Sequence, residues 1–358
     1  MGEKPVGMAI VGIGMWCKAL ANAMQKSPAF KIITCFTRTK AKRDEFAATY
    51  HCDQENCYEE VLKRKDVEGV LITTPNSSHA EIAVQAAYHG KHVLVEKPIA
   101  NQIRDAQRMI EACQQNGVVL SVLHNQRRLA GYRKMRAMVE AGDLGRVVMV
   151  ETNFSNNSGF RLTPGLWRWY EEECPGGPMM TLGVHPADTL QYLLGPIHSL
   201  CSFFDRLCLN TEINDTGSAI LRFESGAQGY LGSNFITPWV NYCNLYGTEA
   251  NLYFTVELPT RKPDEKPGQY GDIWNQADKY SELYIKRKRE NGKKRIELEY
   301  GEILREEIEE FADCLRKRKK PETGGPEGMR ALAVILAAIR SAQLGKPVEV
   351  AEILAGEG

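Results

Sequence analysis

A charged tripeptide, Glu96-Lys97-Pro98, follows directly on the apolar run 92–95. The run predicts a β-strand at 92–96, and ligands of open α/β sheets bind at the carboxyl ends of the strands. Pro98 stops the strand and fixes the backbone at that point. A lysine held there can hydrogen-bond a substrate hydroxyl and help to move its proton. We therefore take Lys97 as a candidate catalytic and substrate-binding residue, and Glu96 and Lys97 as candidate cofactor contacts.

A second candidate lies in the segment 176–188, which begins with glycines and continues as a helix pattern. Thr181, His185 and Asp188 are spaced i, i+4 and i+7, so a helix brings them to one face. Imidazole exchanges protons near neutral pH, which makes His185 a candidate acid or base. Asp188 is placed to orient that ring or to cap the helix. The alternative for His185 is a packed core residue.

A glycine pair separates the first strand pattern, at residues 6–11, from the first helix pattern. Gly12 permits a tight turn, Gly14 lets the backbone approach a pyrophosphate, and the helix N-terminus presents N–H groups to phosphates. Cys17 takes the third position of the pattern, usually Gly or Ala, and is small enough to pack. The segment predicts a dinucleotide-binding turn built from Gly12, Ile13, Gly14, Met15 and Trp16.

The ends of the next two strand patterns refine this cofactor site. Thr37 and Arg38 stand where an acidic residue would bind the adenosine ribose. Since no acidic residue is present, Thr37 and Arg38 favour binding of the 2′-phosphate of NADP, and Lys42 is a further candidate contact. The alternative for Arg38 is stacking on the adenine or simple exposure. NAD stays open as the cofactor. The third strand is followed by a turn that should line the nicotinamide side, formed by Thr74, Pro75, Asn76 and His79, although a histidine at a helix start also suits a structural role.

The elements that must position these residues change character along the chain. Strand and helix patterns alternate through residues 6–124, which predicts a mostly parallel, doubly wound sheet. A helix pattern at 133–141 follows, then a half-exposed strand at 146–154. Several segments in 199–254 alternate as in an antiparallel sheet with one open face.

The remaining segments carry simpler patterns. Residues 258–280 are polar and Pro-rich and predict a loop. The basic stretch 286–295 predicts a solvated hairpin tip. Residues 302–317 and 327–344 have the spacing of amphipathic helices.

Composition narrows the function. A chain of 358 residues predicts two domains. Lys+Arg and Asp+Glu both number 45, which argues against a nucleic-acid partner chosen by bulk charge. No segment reaches the roughly 18 apolar residues of a membrane span, and the N-terminus lacks a signal-peptide pattern. The ten cysteines show neither C-x-x-C spacing nor a zinc set, so we expect reduced thiols, no metal and a cytoplasmic protein.

Together the motifs resemble the glucose–fructose oxidoreductase/inositol dehydrogenase (Gfo/Idh/MocA) family over essentially the whole chain. The pieces that carry the resemblance are residues 12–14, 74–79, 90–98, 142–147, 167–168, 183–185 and 327–332. The resemblance implies an α/β protein with an N-terminal Rossmann domain, a doubly wound parallel sheet, at 1–125. It also implies a C-terminal α/β domain at 126–358 for substrate binding and oligomerisation, with an open-faced, mainly antiparallel sheet that pairs in homodimers or homotetramers.

Typical members oxidise a sugar or cyclitol hydroxyl, or reduce the ketone, with NAD or NADP. The resemblance places their motif lysine at Lys97 and their motif histidine at His185. Many members carry Asp four residues before the histidine, where this chain has Thr181, which cannot act as a carboxylate base. Thr181 could still exchange one hydrogen bond with substrate. Trp167 could pack on a sugar face, with ordinary packing as the alternative, and Arg168 could bind a hydroxyl or carboxylate.

We therefore expect hydride transfer between a nicotinamide and a secondary alcohol or ketone of a sugar, sugar derivative or cyclitol, with Lys97 and His185 in proton transfer. Three alternatives stay open at this point: a dihydrodiol dehydrogenase, an NAD-dependent glycosidase that oxidises its substrate only transiently, and a non-enzymatic dinucleotide-binding regulator. The presence of Lys97 and His185 argues against the regulator, while Thr181 keeps it open.

Overall fold

The N-terminal part of the protein alternates strands and helices. The computed structural model describes residues 4–259 and 269–356. The first of these ranges opens with the elements β1 Val6–Val11, α1 Met15–Lys26, β2 Phe30–Phe36, α2 Lys40–Tyr50, β3 Asp53–Gln54, α3 Tyr58–Lys63, β4 Gly69–Ile72, α4 His79–Tyr88, β5 His92–Glu96, α5 Ile103–Gln115 and β6 Leu120–Leu123.

These strands form one parallel sheet, in the order β3-β2-β1-β4-β5-β6 within the described residues. The order of the strands reverses between β1 and β4, which opens the crevice where dinucleotides bind in such sheets. Every residue of β1 is buried, as expected for a strand covered by helices on both faces. The predicted doubly wound parallel sheet is confirmed, and β1 and β5 have the predicted bounds.

The C-terminal part is built on a second sheet. Its elements are α6 Ala130–Glu140, β7 Val147–Ser155, a π-helix Met179–Gly183, α7 Val184–Leu194, β8 Ile197–Asp205, β9 Thr216–Phe223, β10 Gln228–Asn234, β11 Val240–Gly247, β12 Ala250–Val256, α8 Gln269–Asn275, β13 Ser281–Arg287, β14 Lys294–Ile296, α9 Ile303–Lys317, α10 Gly325–Leu344, β15 Val348–Glu349 and α11 Val350–Leu354.

The second sheet runs β14-β13-β12-β11-β7-β10-β9-β8-β15 through the described part of the chain. β7 and β10 are parallel, and the other neighbouring strands are antiparallel. The π-helix, α7 and α10 pack on one face. The opposite face carries exposed apolar side chains, including Met149, Phe203 and Ile220. The predicted mainly antiparallel sheet with one open face is confirmed, as is the hairpin between β13 and β14 with its exposed tip.

The prediction of a loop over 258–280 holds at 258–259 and was wrong over 269–280, which is mostly helical; residues 260–268 lie outside the described part of the chain. Helix α8 buries Trp274, which is 3% exposed, and packs against α1. Gly271 makes this contact possible, because a Cβ there would lie 2.0 Å from the Cβ of Ala19. A helix this short is stabilised by distant contacts, which a local sequence pattern does not reveal.

The last helices join the two parts of the molecule. α9 packs on α1, and α10 packs on α5 and β6 as well as on β8. The backbone N–H of Val122 in β6 donates to the carbonyl of Thr323 at 2.7 Å. The C-terminal helices therefore support both sheets. No helix in residues 4–259 or 269–356 has the length and apolar character needed to cross a bilayer.

Candidate active site

The turn after β1 forms a cradle for an anion. Gly12 has φ +90°, and a Cβ there would lie 2.6 Å from Thr74 Cγ2, so only glycine fits without strain. A Cβ at Gly14, by contrast, would meet nothing within 4 Å. Helix α1 has no side-chain cap and no acidic residue in its first turn, which leaves its N-terminal N–H groups available. These features fit the pyrophosphate of a dinucleotide.

The residues around this cradle are arranged as a packed base with an open rim. Ile13 and Cys17 are buried, and burial raises the pKa of the Cys17 thiol to about 12, so this cysteine is a small packing residue. Met15 is exposed and Trp16 is half-buried. Met15 and Trp16 therefore lie at the side from which a cofactor would approach.

A buried arginine fixes the loop after β2. Arg43 Nη1 donates to the carbonyl of Thr37 at 2.7 Å and to that of Arg38 at 3.4 Å. Thr37 is half-buried, whereas the Arg38 side chain is exposed at the rim, where it can reach a ribose phosphate. Sequence reasoning missed Arg43, because nothing in the pattern of α2 separates it from its exposed basic neighbours.

The turn after β4 is attached to the loop after β5 through His79. The ring of His79 is fully buried, with Nδ1 3.0 Å from the carbonyl of Pro98 and Nε2 3.0 Å from that of Thr74. Both ring nitrogens therefore face backbone carbonyls, and neither is free for the cofactor contact expected from the sequence. Thr74 lies against Gly12 of the cradle, and Pro75 and the buried Asn76 continue the turn, so these three remain candidates for the cofactor contact.

Lys97 leaves the carboxyl end of β5 and crosses to the second part of the protein. Its Nζ donates to the carbonyl of Thr181 at 2.8 Å, and the Lys97–Pro98 peptide is cis. Burial lowers the pKa of Lys97 to about 8; the charge of Glu96 opposes this shift and that of Arg168 adds to it. Glu96 is buried, its carboxylate accepts the Lys97 N–H at 3.2 Å, and burial raises its pKa.

The Thr181 carbonyl lies within the π-helix Met179–Gly183. The ammonium group of Lys97 donates to it from the end of β5 and so connects the two parts of the protein. Thr181 binds Lys97 through its backbone carbonyl. Its hydroxyl donates to the carbonyl of Gly177 at 3.1 Å, so donating to substrate would require that hydroxyl to turn, whereas accepting a hydrogen bond from substrate would not.

His185 starts α7 within a largely apolar enclosure. It is 5% exposed, and its ring centroid lies 5.8 Å from that of Phe154. Burial, together with the positive charge of Lys97, holds the pKa of His185 well below its usual range. Its Nδ1 has no hydrogen-bond partner among the described residues.

Asp188 does not orient His185, contrary to one of the two sequence interpretations. Arg127 binds the Asp188 carboxylate with two hydrogen bonds, of which the one from Nε to Oδ2 measures 2.9 Å. Both side chains are buried. The pair joins α7 to the 3-10 helix Asn125–Arg128 that follows β6, a contact between residues too distant in the chain for the helix pattern to reveal.

Aromatic rings line the site beside His185. Phe154 stacks on Trp274 at 6.1 Å between centroids and meets the edge of the half-exposed Trp239 at 5.4 Å. Sequence reasoning missed this wall, because its members come from three separate segments. Arg168 lies 4.5 Å from the ring centroid of Trp167, and its charge acts on both Lys97 and Glu96. The structure thus brings Arg168 to the lysine, with the half-buried Trp167 stacked against it.

The fold and site define the class of nicotinamide-dependent dehydrogenases and reductases. Residues 6–124 match the family model described as "Oxidoreductase family, NAD-binding Rossmann fold", and residues 132–253 match "GFO/IDH/MocA C-terminal domain". The chain belongs to the Gfo/Idh/MocA family of oxidoreductases and is an enzyme of that class, as its motifs predict.

Several known proteins are similar along much of the chain. Inositol 2-dehydrogenase from Salmonella paratyphi B is 31% identical over 70% of this chain and 73% of its own length. The 1,5-anhydro-D-fructose reductase of Ensifer adhaerens is 27% identical, covering 82% of each chain. The crystal structure of a protein from Desulfitobacterium hafniense DCB-2, named as a candidate NADPH-dependent oxidoreductase, is 38% identical over 99% of this chain and 100% of its own, with a TM-score of 0.90.

Proposed function

We propose that the protein transfers hydride between NADP and a secondary alcohol, or the matching ketone, of a sugar, sugar derivative or cyclitol. The observation that carries the proposal is the amino group of Lys97, which stands at the carboxyl end of β5, donates to the Thr181 carbonyl at 2.8 Å and has a pKa lowered by burial to about 8. An amine with that pKa populates both protonation states near neutral pH. It can therefore accept a hydroxyl proton and return it.

The residues divide the work at the substrate oxygen. The bound nicotinamide supplies hydride acceptance in one direction and hydride donation in the other. Lys97, held by the Thr181 carbonyl, takes the hydroxyl proton as a neutral amine and gives it back as an ammonium ion. His185 stays neutral because it is buried, so it hydrogen-bonds the same oxygen without adding a second positive charge. The sequence led us to expect that Lys97 and His185 share the proton transfer; we now propose that Lys97 takes the larger part.

The surroundings of the lysine support a cyclic polyol. The half-exposed ring of Trp239, backed by Phe154 and Trp274, offers an apolar surface for the C–H face of a ring, and Trp167 offers another. Arg168 supplies donors for a hydroxyl or carboxylate. The named substrates of the relatives, inositol and 1,5-anhydro-D-fructose, have this chemistry.

The residues of the loop after β2 are the reason why we propose NADP rather than NAD. Thr37 and Arg38 occupy the position of an acidic ribose ligand, and Arg43 holds their backbone in place. The NADPH-dependence in the name of the Desulfitobacterium hafniense protein, 38% identical, agrees with this choice.

The test is a panel of sugars, sugar acids, cyclitols and 1,5-anhydro-D-fructose, with a dihydrodiol and an aryl glycoside as rivals. Each is assayed with NADP and NAD in both directions by the absorbance of reduced nicotinamide. We expect turnover of a cyclic polyol or its ketone, faster with the NADP couple and lost in Lys97→Met. Turnover of the dihydrodiol alone, or glycoside cleavage without net nicotinamide reduction, would overturn the proposal; so would cofactor binding without turnover of any substrate.

A further inference from the structure

Arg168 is partly withdrawn from water without a hydrogen-bonded anion. Its side chain is half-buried. Within residues 4–259 and 269–356, no carboxylate or carbonyl oxygen lies within hydrogen-bond distance of its guanidinium group. Loss of water disfavours the charged form and lowers the pKa of Arg168. Since a guanidinium group still keeps its charge in proteins, an anion bound there would offset this cost.

More deeply buried arginines of the same chain have such acceptors. Arg127 donates to both oxygens of Asp188, and Arg43 donates to the carbonyl of Thr37 at 2.7 Å. The N–H groups of a guanidinium lie in one plane, which suits paired contacts of this kind. Arg168 differs from Arg43 and Arg127 in that its acceptor has to come from outside the described chain.

Trp167 holds Arg168 in place and leaves its donors available. The guanidinium carbon of Arg168 lies 4.5 Å from the centroid of the Trp167 ring. Both residues belong to the 3-10 helix Trp167–Trp169. A cation–π contact uses no hydrogen-bond acceptor, so it fixes the guanidinium group without occupying its N–H groups. Two parallel N–H groups match the two oxygens of a carboxylate.

The charges around Lys97 leave a positive excess. The charged side chains that act on Lys97 are Arg168 and Glu96. Cys174 also adjoins Lys97, but burial raises the pKa of its thiol to about 12, so it is neutral, and His185 is neutral as well. With Lys97 as an ammonium ion, two positive charges therefore face a single carboxylate.

This excess selects among anions. A carboxylate carries one negative charge and balances the excess. A phosphate monoester carries close to two negative charges near neutral pH and would leave the site with a negative excess. A neutral sugar leaves the guanidinium group of Arg168 with hydroxyl acceptors only, and hydrogen bonds between charged groups are roughly twice as strong as neutral ones.

We propose that the substrate is a cyclic sugar acid and that Arg168 binds its carboxylate. The carboxylate accepts hydrogen bonds from the guanidinium group, while the hydroxyl to be oxidised lies at Lys97. Arg168 thereby orients the ring and favours the acid over a neutral sugar of the same shape. This assignment rests on the proposed function and narrows its substrate class.

Matched pairs of compounds test the charge of the substrate. Glucuronate and galacturonate are assayed with NADP beside their uronamides, in which a neutral amide replaces the carboxylate with little change in shape, and beside the phosphate esters of the neutral sugars. We expect kcat/KM for an acid to exceed that for its amide by about 10- to 100-fold, the effect of a charge-assisted contact. An amide or phosphate ester turned over as well as the acid would overturn the assignment. Turnover of neutral compounds alone would also overturn it, while leaving the proposed function intact.

Arg168→Met tests the residue. The ratio of kcat/KM for the acid to that for the amide should fall toward unity. The ratio is the proper measure, because Arg168 also lowers the pKa of Lys97, and that effect is common to both compounds. Arg168→Lys keeps a positive charge without the paired donors and should recover part of the ratio. A preference for the acid that persists in folded Arg168→Met would overturn the role of Arg168.

Arg146→Met is the matched control. Arg146 is exposed and precedes β7, whose opposite end carries Phe154. The control loses a guanidinium group outside the site and should keep the preference for the acid. An equal loss of preference in the control would indicate an effect of net charge, and the proposal would fall. It would also fall if Arg168→Met weakened binding of NADP as much as binding of the acid, because Arg168 would then serve the cofactor.

Calorimetric titration separates this proposal from the proposed function. The protein saturated with NADP is titrated with an acid and with its amide. The acid should bind about 10- to 100-fold more tightly, and Arg168→Met should remove the difference. If no compound is turned over, the proposed function fails, while the titration still decides whether Arg168 binds a carboxylate. Equal affinities of acid and amide would contradict that binding.

Discussion

At the scale of residues, the proposed chemistry depends on the protonation state of one amine. Lys97 has a pKa of about 8 because its ammonium form is poorly solvated. Oxidation needs the neutral amine, so its kcat/KM should rise with pH through about 8 and then level off. Reduction needs the ammonium ion, so its kcat/KM should fall through the same range. Rate profiles in both directions measure this, and midpoints that do not coincide near pH 8 would contradict it.

Lys97→Met tests the same group by removal. Turnover should fall by about 10²- to 10⁴-fold, the usual contribution of general acid–base catalysis, and the remaining rate should lose its inflection near pH 8. Binding of NADP, followed by fluorescence, should stay nearly intact, because the dinucleotide cradle is built from other residues. Near-normal turnover in a folded variant would remove Lys97 from the mechanism.

Arg38 should decide between the two cofactors. Its side chain is exposed at the rim, whereas Arg43 holds the backbone beneath it. Arg38→Ala should weaken NADP binding about tenfold or more and leave NAD nearly unchanged, since one charge-assisted contact to the 2′-phosphate is lost.

Calorimetric titration of both cofactors measures this difference. Lys40→Ala, which removes an exposed cation that is paired with Asp44 at 2.8 Å, is the matched control. Equal weakening of both cofactors by Arg38→Ala would indicate adenine stacking. Tighter binding of NAD than of NADP by the unaltered protein would contradict the preference itself.

At the scale of elements, the sequence predicts those parts whose signals are local. β1 and β5 have the predicted bounds because an apolar run ends sharply at Gly12 in one case and at the charged pair before Pro98 in the other. Both positions belong to the candidate site, so the residues that end each strand are also the residues of the functional motif.

The missed features depend on residues far apart in the chain. The partner of Asp188 is 61 positions away, and α8 packs closely on α1 because Gly271 has no Cβ to meet Ala19. The π-helix also escapes a 3.6-residue pattern, since its wide turn inserts one residue without changing the side-chain types. Local spacing placed Thr181 on the face of His185, but only the fold shows that its carbonyl binds Lys97.

Thr181→Val tests how this π-helix contributes. The hydroxyl donates to Gly177, so its loss should lower the free energy of unfolding by about 0.5–1.5 kcal/mol. Because Lys97 binds the backbone carbonyl, kcat and its pH midpoint should change little. Denaturant unfolding and kinetics on one preparation measure both effects.

A matched control for this variant is Thr189→Val, which removes another buried helical hydroxyl, bonded to the carbonyl of His185 at 3.2 Å. It should cost similar stability. A large loss of kcat in Thr181→Val at unchanged stability would instead show that the hydroxyl of Thr181 contacts substrate.

At the scale of the whole molecule, the site exists because the two sheets are joined. Lys97 reaches Thr181 across the crevice, Ser77 donates to Glu173 at 2.6 Å, and α10 packs on both sheets. The sequence identified the participants on each side, but the joining contacts follow from the packing of helices against distant strands. A cofactor held in the cradle of β1 therefore faces residues that come from the second sheet's helices.

The open face of the second sheet leads to the last prediction. The strand register places Ile220 of β9 opposite Tyr230 of β10, and Phe203 of the neighbouring strand β8 lies on the same face of the sheet. Ile220 is 59% exposed and Phe203 is 72% exposed. An apolar sheet face of this kind indicates a protein–protein contact, so we expect a homodimer or homotetramer.

Ile220→Glu tests this interface, because it would place a charge on the self-complementary face and leave it unpaired there. Sedimentation velocity at micromolar concentration should show the unaltered protein as an oligomer and the variant shifted toward monomer with its fold retained. Tyr88→Glu, at a 64% exposed position on α4, should stay oligomeric. If the unaltered protein sediments as a monomer, the open face is not where copies of this chain meet. The same holds if Ile220→Glu associates as strongly as Tyr88→Glu, since a buried unpaired carboxylate would cost more free energy than such an interface could offset.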